Sequence, residues 1–84
     1  MEGNQTINLE DRIQALMVTA LQIPPEEVHP ELAFGDLPQW DSMGHMEVMI
    51  SLEMEFGVEI NADTIAALTN IPAIRDYLVE NHHD

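Results

Sequence analysis

The 84-residue chain has no cysteine and no lysine, and it has no long apolar run. Without cysteine, neither a disulfide framework nor a thiolate metal site can form. No apolar run approaches the roughly 20 residues that a membrane-spanning helix needs. The N-terminal residues 1–5 are acidic and polar, which is not typical of a signal or transit peptide. We therefore expect a cytoplasmic protein whose residues 1–84 form one domain.

Positive charge is also scarce. Sixteen Asp and Glu residues accompany only two arginines, Arg12 and Arg75, and the formal net charge is −14. This charge repels nucleic acid phosphates and anionic lipid, so neither is an expected partner. It would steer the chain toward basic protein surfaces and disfavour self-association, which predicts a monomer. The alternative explanation is that the acidity serves solubility alone.

The apolar residues recur at helical spacing, which predicts an all-α bundle of three main helices and one short helix. The helices are expected over about residues 9–22, 42–56, 62–68 and 72–81, with no strand. Asn8 and Asp11 resemble a capping box for the first helix. Asp41 is the natural N-cap of the second helix, and Gly57 is its expected end.

A long proline-rich connection, residues 23–40, separates the first two helices. Connections of this length usually have a function or their own packing. A short turn is expected at residues 26–28. Four apolar side chains are spaced so that they can pin the connection onto the helices: Val28, Leu32, Phe34 and Leu37. Trp40 is expected to pack the connection against the start of the second helix.

The second helix carries two apolar stripes when its residues are placed about 100° apart. The first stripe suits the core and contains Val48, Met49, Leu52 and Phe56, with His45 at its edge. The second stripe contains Met43, Met46, Ile50 and Met54, flanked by Glu47 and Glu53. A central helix would bury both stripes. An exposed second stripe would instead receive partners, and the flexible, polarizable methionine side chain suits that role.

Ser42 lies where the proline-rich connection turns into the second helix, one residue before the second stripe. A partner bound to an exposed stripe would have this serine within reach, so the position favours exposure of the stripe. A hydroxyl at this place points outward near the positive end of the helix dipole. A phosphodiester attached to it would be favoured by the dipole and by the free amides. Considered alone, a serine at a helix start is more often only a cap.

The run from Leu37 to Ile60 resembles the modification-site region of acyl carrier proteins. In that family, Asp-Ser-Leu or Asp-Ser-Met opens the second helix, which ends in Glu-x-Glu-Phe-Gly-hydrophobic-x-hydrophobic. The corresponding segments are Asp41-Ser42-Met43 and Glu53-Met54-Glu55-Phe56-Gly57-Val58-Glu59-Ile60. The first and last helices also look like those of the family, so the resemblance covers nearly the whole chain.

The resemblance implies a carrier that is not an enzyme, with 4′-phosphopantetheine attached to Ser42 from coenzyme A. Acyl groups would travel as thioesters on that arm, and Asp41 would help the phosphopantetheinyl transferase to recognise the site. Partner enzymes that load and process the acyl group would bind the positions that carry recognition in the family. These positions and their neighbours on the second stripe are Met43, Met46, Glu47, Ile50, Glu53 and Met54.

The residues before the serine bear on the pathway. Fatty-acid synthesis carriers usually have Gly-Ala-Asp-Ser-Leu, whereas this chain has Gln39-Trp40-Asp41-Ser42-Met43. The Leu-Pro-x-Trp-Asp-Ser pattern looks more like discrete carriers of specialised pathways, including polyketide assembly. Asp-Ser-Met-Gly also appears in D-alanyl carrier proteins. The resemblance therefore favours specialised biosynthesis over housekeeping fatty acid synthesis.

The sequence offers three other interpretations. A serine hydrolase would pair Ser42 with His45 on one helix face, but Trp40 stands where the Gly-x-Ser-x-Gly motif needs glycine. A metal site is not indicated, since no His-Glu-x-x-His pattern occurs. The histidines are instead expected to be solvated: His29, His45, His82 and His83. The third is an unmodified acidic interaction module that docks partners through Met43, Met46 and Ile50.

Overall fold

The computed structural model describes residues 9–81, which form four α-helices and contain no strand. The helices are α1 (Leu9–Leu21), α2 (Ser42–Phe56), α3 (Ala62–Ala67) and α4 (Ile71–Asn81). A single 3-10 turn, Pro25–Glu27, lies in the connection between α1 and α2. The prediction of an all-α bundle with three main helices and one short helix is confirmed. The cap predicted from Asn8 lies outside the described residues.

Both ends of α2 lie where the sequence predicts them. At the start, the Asp41 carboxylate accepts a hydrogen bond of 2.9 Å from the Gly44 N–H, which satisfies one of the first-turn donors. At the end, Gly57 adopts a left-handed conformation with φ of 76°. Its N–H donates to the Glu53 carbonyl at 2.9 Å, and the Val58 N–H donates to the Leu52 carbonyl. These bonds satisfy carbonyls in the last turn of the helix. They need a left-handed conformation at position 57, which glycine adopts at low strain.

The two shorter helical segments begin with asparagine caps. Asn61 and Thr64 form a reciprocal capping box at the start of α3, with bonds of 2.9 and 3.0 Å. The side chain of Asn70 accepts from the Ala73 N–H at 2.7 Å, which caps α4 in the same way. Pro72 lies in the first turn of α4, where its missing N–H has no intrahelical acceptor.

The core lies between α1, α2 and α4 and is closed by the connection. The first stripe of α2 is buried as predicted, and it packs with α1 and α4 side chains into one cluster. The most deeply buried members of that cluster are Met17, Leu32, Trp40, Val48, Met49, Leu52 and Ile74. Within residues 9–81, no helix is long and apolar enough to cross a membrane.

All four predicted side chains hold the connection against the rest of the fold. Leu32 is fully buried, and Val28 and Leu37 are partly buried against the core. Phe34 is 43% exposed, but its ring packs edge-on against the His45 ring of α2, with 5.7 Å between the ring centroids. Its N–H also donates to the Thr69 carbonyl at 2.8 Å, which ties this stretch of the connection to the segment between α3 and α4.

Candidate functional site

Ser42 is the first residue of α2, and it is exposed. The N–H groups of Ser42 and Met43 lie in the first helical turn, where amides have no intrahelical acceptor. The first turn of α2 contains no acidic side chain, whereas Glu10 and Asp11 lie in the first turn of α1. An anion attached to the Ser42 hydroxyl would meet the positive end of the helix dipole, and the N-cap carboxylate of Asp41 is the acidic group beside it. These features fit a phosphodiester on this serine.

The loop before Ser42 is held by a series of local hydrogen bonds. The Ala33 N–H donates to the Asp36 carboxylate, and the Asp36 N–H donates back to the Ala33 carbonyl, both at 2.9 Å. The Trp40 N–H donates to the Leu37 carbonyl, and the Gly35 N–H donates to the Trp40 carbonyl, both at 3.0 Å. Gly35 has a φ of 90°, a conformation that favours glycine. The serine therefore follows a turn with a defined shape.

Gly44 lies against this loop, a contact that the sequence alone did not predict. A Cβ at position 44 would overlap the Gln39 carbonyl oxygen and lie 3.1 Å from a methyl group of Leu21. Only glycine lets the loop approach the helix so closely. The sequence does contain a signal for this contact, namely a glycine inside a strong helical pattern. Glycine is about 1 kcal/mol less favourable than alanine in a helix, so its presence there often indicates close packing at that position.

Behind Ser42, Trp40 and His45 form a buried polar pair. The Trp40 indole N–H lies 3.1 Å from His45 Nδ1, and His45 Nε2 lies 2.8 Å from the Ile65 carbonyl oxygen. The prediction that Trp40 packs the connection against α2 is confirmed, since this side chain is fully buried. The prediction of a solvated His45 is wrong, because α3 and the connection cover it. Both of its ring nitrogens have partners, so it offers no base for the serine hydrolase interpretation.

The second stripe of α2, here called the methionine stripe, consists of Met43, Met46, Ile50 and Met54. It is exposed, as predicted: Met43 and Met54 are each 80% exposed, and the other two are more than a third exposed. Glu47 and Glu53 beside it are exposed as well. The stripe begins next to Ser42 and extends along the helix. The site therefore combines an exposed hydroxyl with an apolar surface bordered by carboxylates.

Among residues 9–81, no three His, Asp or Glu side chains are grouped so that they could hold a metal ion. His29 is exposed, as expected for a solvated histidine. His82 and His83 lie outside the described residues.

Comparison with known proteins identifies the family. The chain matches the family described as "Phosphopantetheine attachment site" over residues 11–78, a range that begins in α1, includes all of α2 and ends in α4. It is also similar to the acyl carrier protein of Thermosynechococcus vestitus, with 33% identity over 75 residues that cover 89% of this chain and 91% of that protein. The family match supports 4′-phosphopantetheine as the prosthetic group. The chain belongs to the acyl carrier protein family.

Proposed function

We propose that Ser42 is the residue that bears 4′-phosphopantetheine, and that the chain presents acyl groups on this arm to partner enzymes. The observation that carries this proposal is the exposed Ser42 hydroxyl at the start of α2, where the amides of Ser42 and Met43 have no intrahelical acceptor. The serine also lies within the residues that match the phosphopantetheine attachment family.

Attachment is a group transfer from coenzyme A. The Ser42 oxygen forms a bond to the phosphorus of the phosphopantetheine half, the bond to the adenosine bisphosphate half breaks, and the hydroxyl proton is released. The N-terminal dipole of α2 and the amides of Ser42 and Met43 then stabilise the phosphodiester. When bound, the arm supplies a thiol that holds an acyl group as a thioester.

The contribution of the chain itself is attachment and presentation. A tethered acyl group has a high effective concentration at the active site of an enzyme that binds the carrier. No catalytic residue is assigned, because the one histidine near Ser42 uses both ring nitrogens in other bonds. On this proposal, residues 1–84 are one carrier domain that acts as a monomer.

The methionine stripe, with Glu47 and Glu53, is the proposed docking surface for the transferase and for acyl-loading and acyl-processing enzymes. Exposed methionines adapt to differently shaped partners. The carboxylates would attract partners with basic surfaces, and a net charge of −14 would accelerate their encounter. Asp41 is the proposed recognition residue for the transferase, beyond its role as the N-cap of α2.

We assign the acyl cargo to a specialised pathway, such as polyketide assembly, and not to housekeeping fatty acid synthesis. The support is Trp40, which replaces the alanine typical of fatty-acid carriers and is a fully buried partner of His45. The test is loading of the modified chain by a polyketide-type acyltransferase in parallel with a fatty-acid malonyl transferase. Faster loading by the fatty-acid enzyme would contradict this assignment.

The decisive experiment is the intact mass of the chain after incubation with coenzyme A and a broad-specificity phosphopantetheinyl transferase. The wild type should gain one phosphopantetheine group, and Ser42→Ala should gain none. Ser51→Ala is the matched control, because Ser51 is the only other serine of the chain and lies in the same helix. This variant should gain the group as the wild type does. A folded wild type that gains nothing would favour the unmodified acidic docking module.

A further inference from the structure

His45 connects the loop that carries the attachment site with α3. It lies one helical turn after Ser42 and is almost fully buried, with 5% of its surface exposed. An indole N–H can only donate, so His45 Nδ1 must accept the bond from Trp40. In the neutral ring the proton is then on Nε2, which donates to the Ile65 carbonyl oxygen at 2.8 Å. Nδ1 therefore bonds to the loop before Ser42, whereas Nε2 bonds to α3.

On the α3 side, His45 replaces a missing helical donor. Ile65 lies in the last turn of α3, which ends at Ala67. Carbonyls in the last turn of a helix have no intrahelical donor and need another partner. The Nε2–H of His45 supplies that partner from α2, so this bond holds the C-terminal end of the short helix.

On the loop side, His45 satisfies a buried donor that lies two residues before Ser42. Trp40 is fully buried, and its backbone N–H and carbonyl are bonded to Leu37 and Gly35. Without His45 Nδ1, the indole N–H would be buried without a partner, which is unfavourable enough to change the local conformation. The shape of the turn that presents Ser42 therefore depends on this bond.

We propose that His45 is a positioning residue with two separable effects. Through Nδ1 and Trp40, it keeps the turn before Ser42 in the conformation that the phosphopantetheinyl transferase binds. Through Nε2 and Ile65, it holds the end of α3. The first effect rests on the proposed function of Ser42, whereas the second effect does not. A less ordered turn lowers the fraction of binding-competent chain, so it raises the apparent KM for the carrier and leaves kcat unchanged.

Two substitutions of His45 separate the effects. In His45→Asn, the shorter side chain places its amide near the position of Nδ1 and can accept the bond from Trp40. In His45→Gln, the longer side chain places its amide near the position of Nε2 and can donate to Ile65. The Trp40→Phe variant keeps a buried aromatic ring. It removes the indole donor and part of the ring area.

The measurements are the KM and kcat of phosphopantetheinylation with coenzyme A, and amide hydrogen exchange in α3. Both are taken at a temperature at which every variant is folded by circular dichroism. His45→Gln should raise KM about five- to tenfold, which is the factor expected for loss of an ordinary hydrogen bond. Amide exchange in α3 of this variant should stay at the wild-type rate. His45→Asn should keep KM within about twofold of wild type and accelerate exchange in α3 by a similar five- to tenfold factor. Trp40→Phe retains His45, so α3 should exchange at the wild-type rate.

The outcomes distinguish the possibilities. If KM is unchanged in both His45→Gln and Trp40→Phe, the positioning role toward Ser42 is wrong. If both His45 variants show the same change in KM and the same change in amide exchange of α3, the two effects of His45 are not separable and the proposal is overturned. If the wild type is not modified at Ser42, the proposed function itself fails, and the first effect fails with it. Wild-type exchange in α3 of His45→Asn would overturn the second effect in every case.

Discussion

The backbone carbonyl oxygen of Gln39 occupies the space that a Cβ at position 44 would need. The loop before Ser42 therefore rests directly on the first turn of α2. The Gly44→Ala variant must push this loop away or distort the helix start, and overpacking of this kind costs about 1–3 kcal/mol. Chemical denaturation should show that loss, and the modification rate of Ser42 should fall because its turn has moved.

The control for this variant is Ser51→Ala, a half-buried position of the same helix. Its free energy of unfolding should stay within about 0.5 kcal/mol of wild type, as is usual for substitutions away from the core. If Gly44→Ala is as stable as this control and is modified at the wild-type rate, the close approach of Gln39 does not shape the site.

Asp41 combines a structural role with a proposed recognition role, and two substitutions distinguish them. Asp41→Ala removes the acceptor for the Gly44 N–H and should lower the free energy of unfolding by about 1 kcal/mol. Asp41→Asn keeps a cap acceptor of similar strength and should be nearly as stable as wild type. If the transferase recognises the carboxylate, both variants should be modified more slowly. Wild-type kinetics of Asp41→Asn would show that the cap alone matters.

The sequence predicted the helices well because their ends are determined locally. The caps at Asp41 and Gly57 consist of hydrogen bonds that span at most six positions, so the bounds of α2 follow from a short segment. The exposure of the methionine stripe was predictable as well. One apolar stripe is enough for the core of a small bundle, and the stripe with valine and phenylalanine filled that role.

The features that the sequence did not predict are contacts between distant segments. The Phe34 backbone pairs with Thr69, and His45 is buried because α3 places the Ile65 carbonyl against it. Neither contact is a property of local spacing, since 35 and 20 residues separate the partners. The contact of Gly44 with Gln39 depends in the same way on how the long connection returns to the helix.

The two apolar stripes of α2 should respond to substitution in opposite ways. Met54→Ala removes an exposed side chain, so the free energy of unfolding should change by less than about 0.5 kcal/mol. Met49→Ala removes a fully buried one and should cost about 2–5 kcal/mol. Affinity for the transferase, measured by titration calorimetry, should fall for Met54→Ala if the methionine stripe is the docking surface.

Val79→Ala is the matched control for docking, because Val79 is an exposed apolar residue of α4 and lies outside the methionine stripe. It should bind the transferase as wild type does. An equal loss of affinity for Val79→Ala and Met54→Ala would contradict docking through α2.

Within residues 9–81 the two arginines form similar ion pairs, and Arg12 also lies over the ring of the core residue Phe56. Arg12 lies 3.3 Å from Glu55 and 4.4 Å from the centre of the Phe56 ring, whereas Arg75 makes its described contact of 3.3 Å with Glu10. Exposed ion pairs contribute little, and a cation over a ring adds about 0.5–1 kcal/mol. Arg12→Gln should therefore destabilise the chain by about that much more than Arg75→Gln.

The comparison of these two variants also removes the effect of net charge. Each substitution takes one positive charge from a chain of net charge −14, so the added self-repulsion is nearly the same. Salt near 0.5 M screens that repulsion and the exposed ion pairs, because the Debye length is then only about 4 Å. The packing of the Arg12 guanidinium on Phe56 is screened far less. The difference between the variants in thermal denaturation should therefore persist at high salt, and its disappearance would show that Arg12 acts through its charge alone.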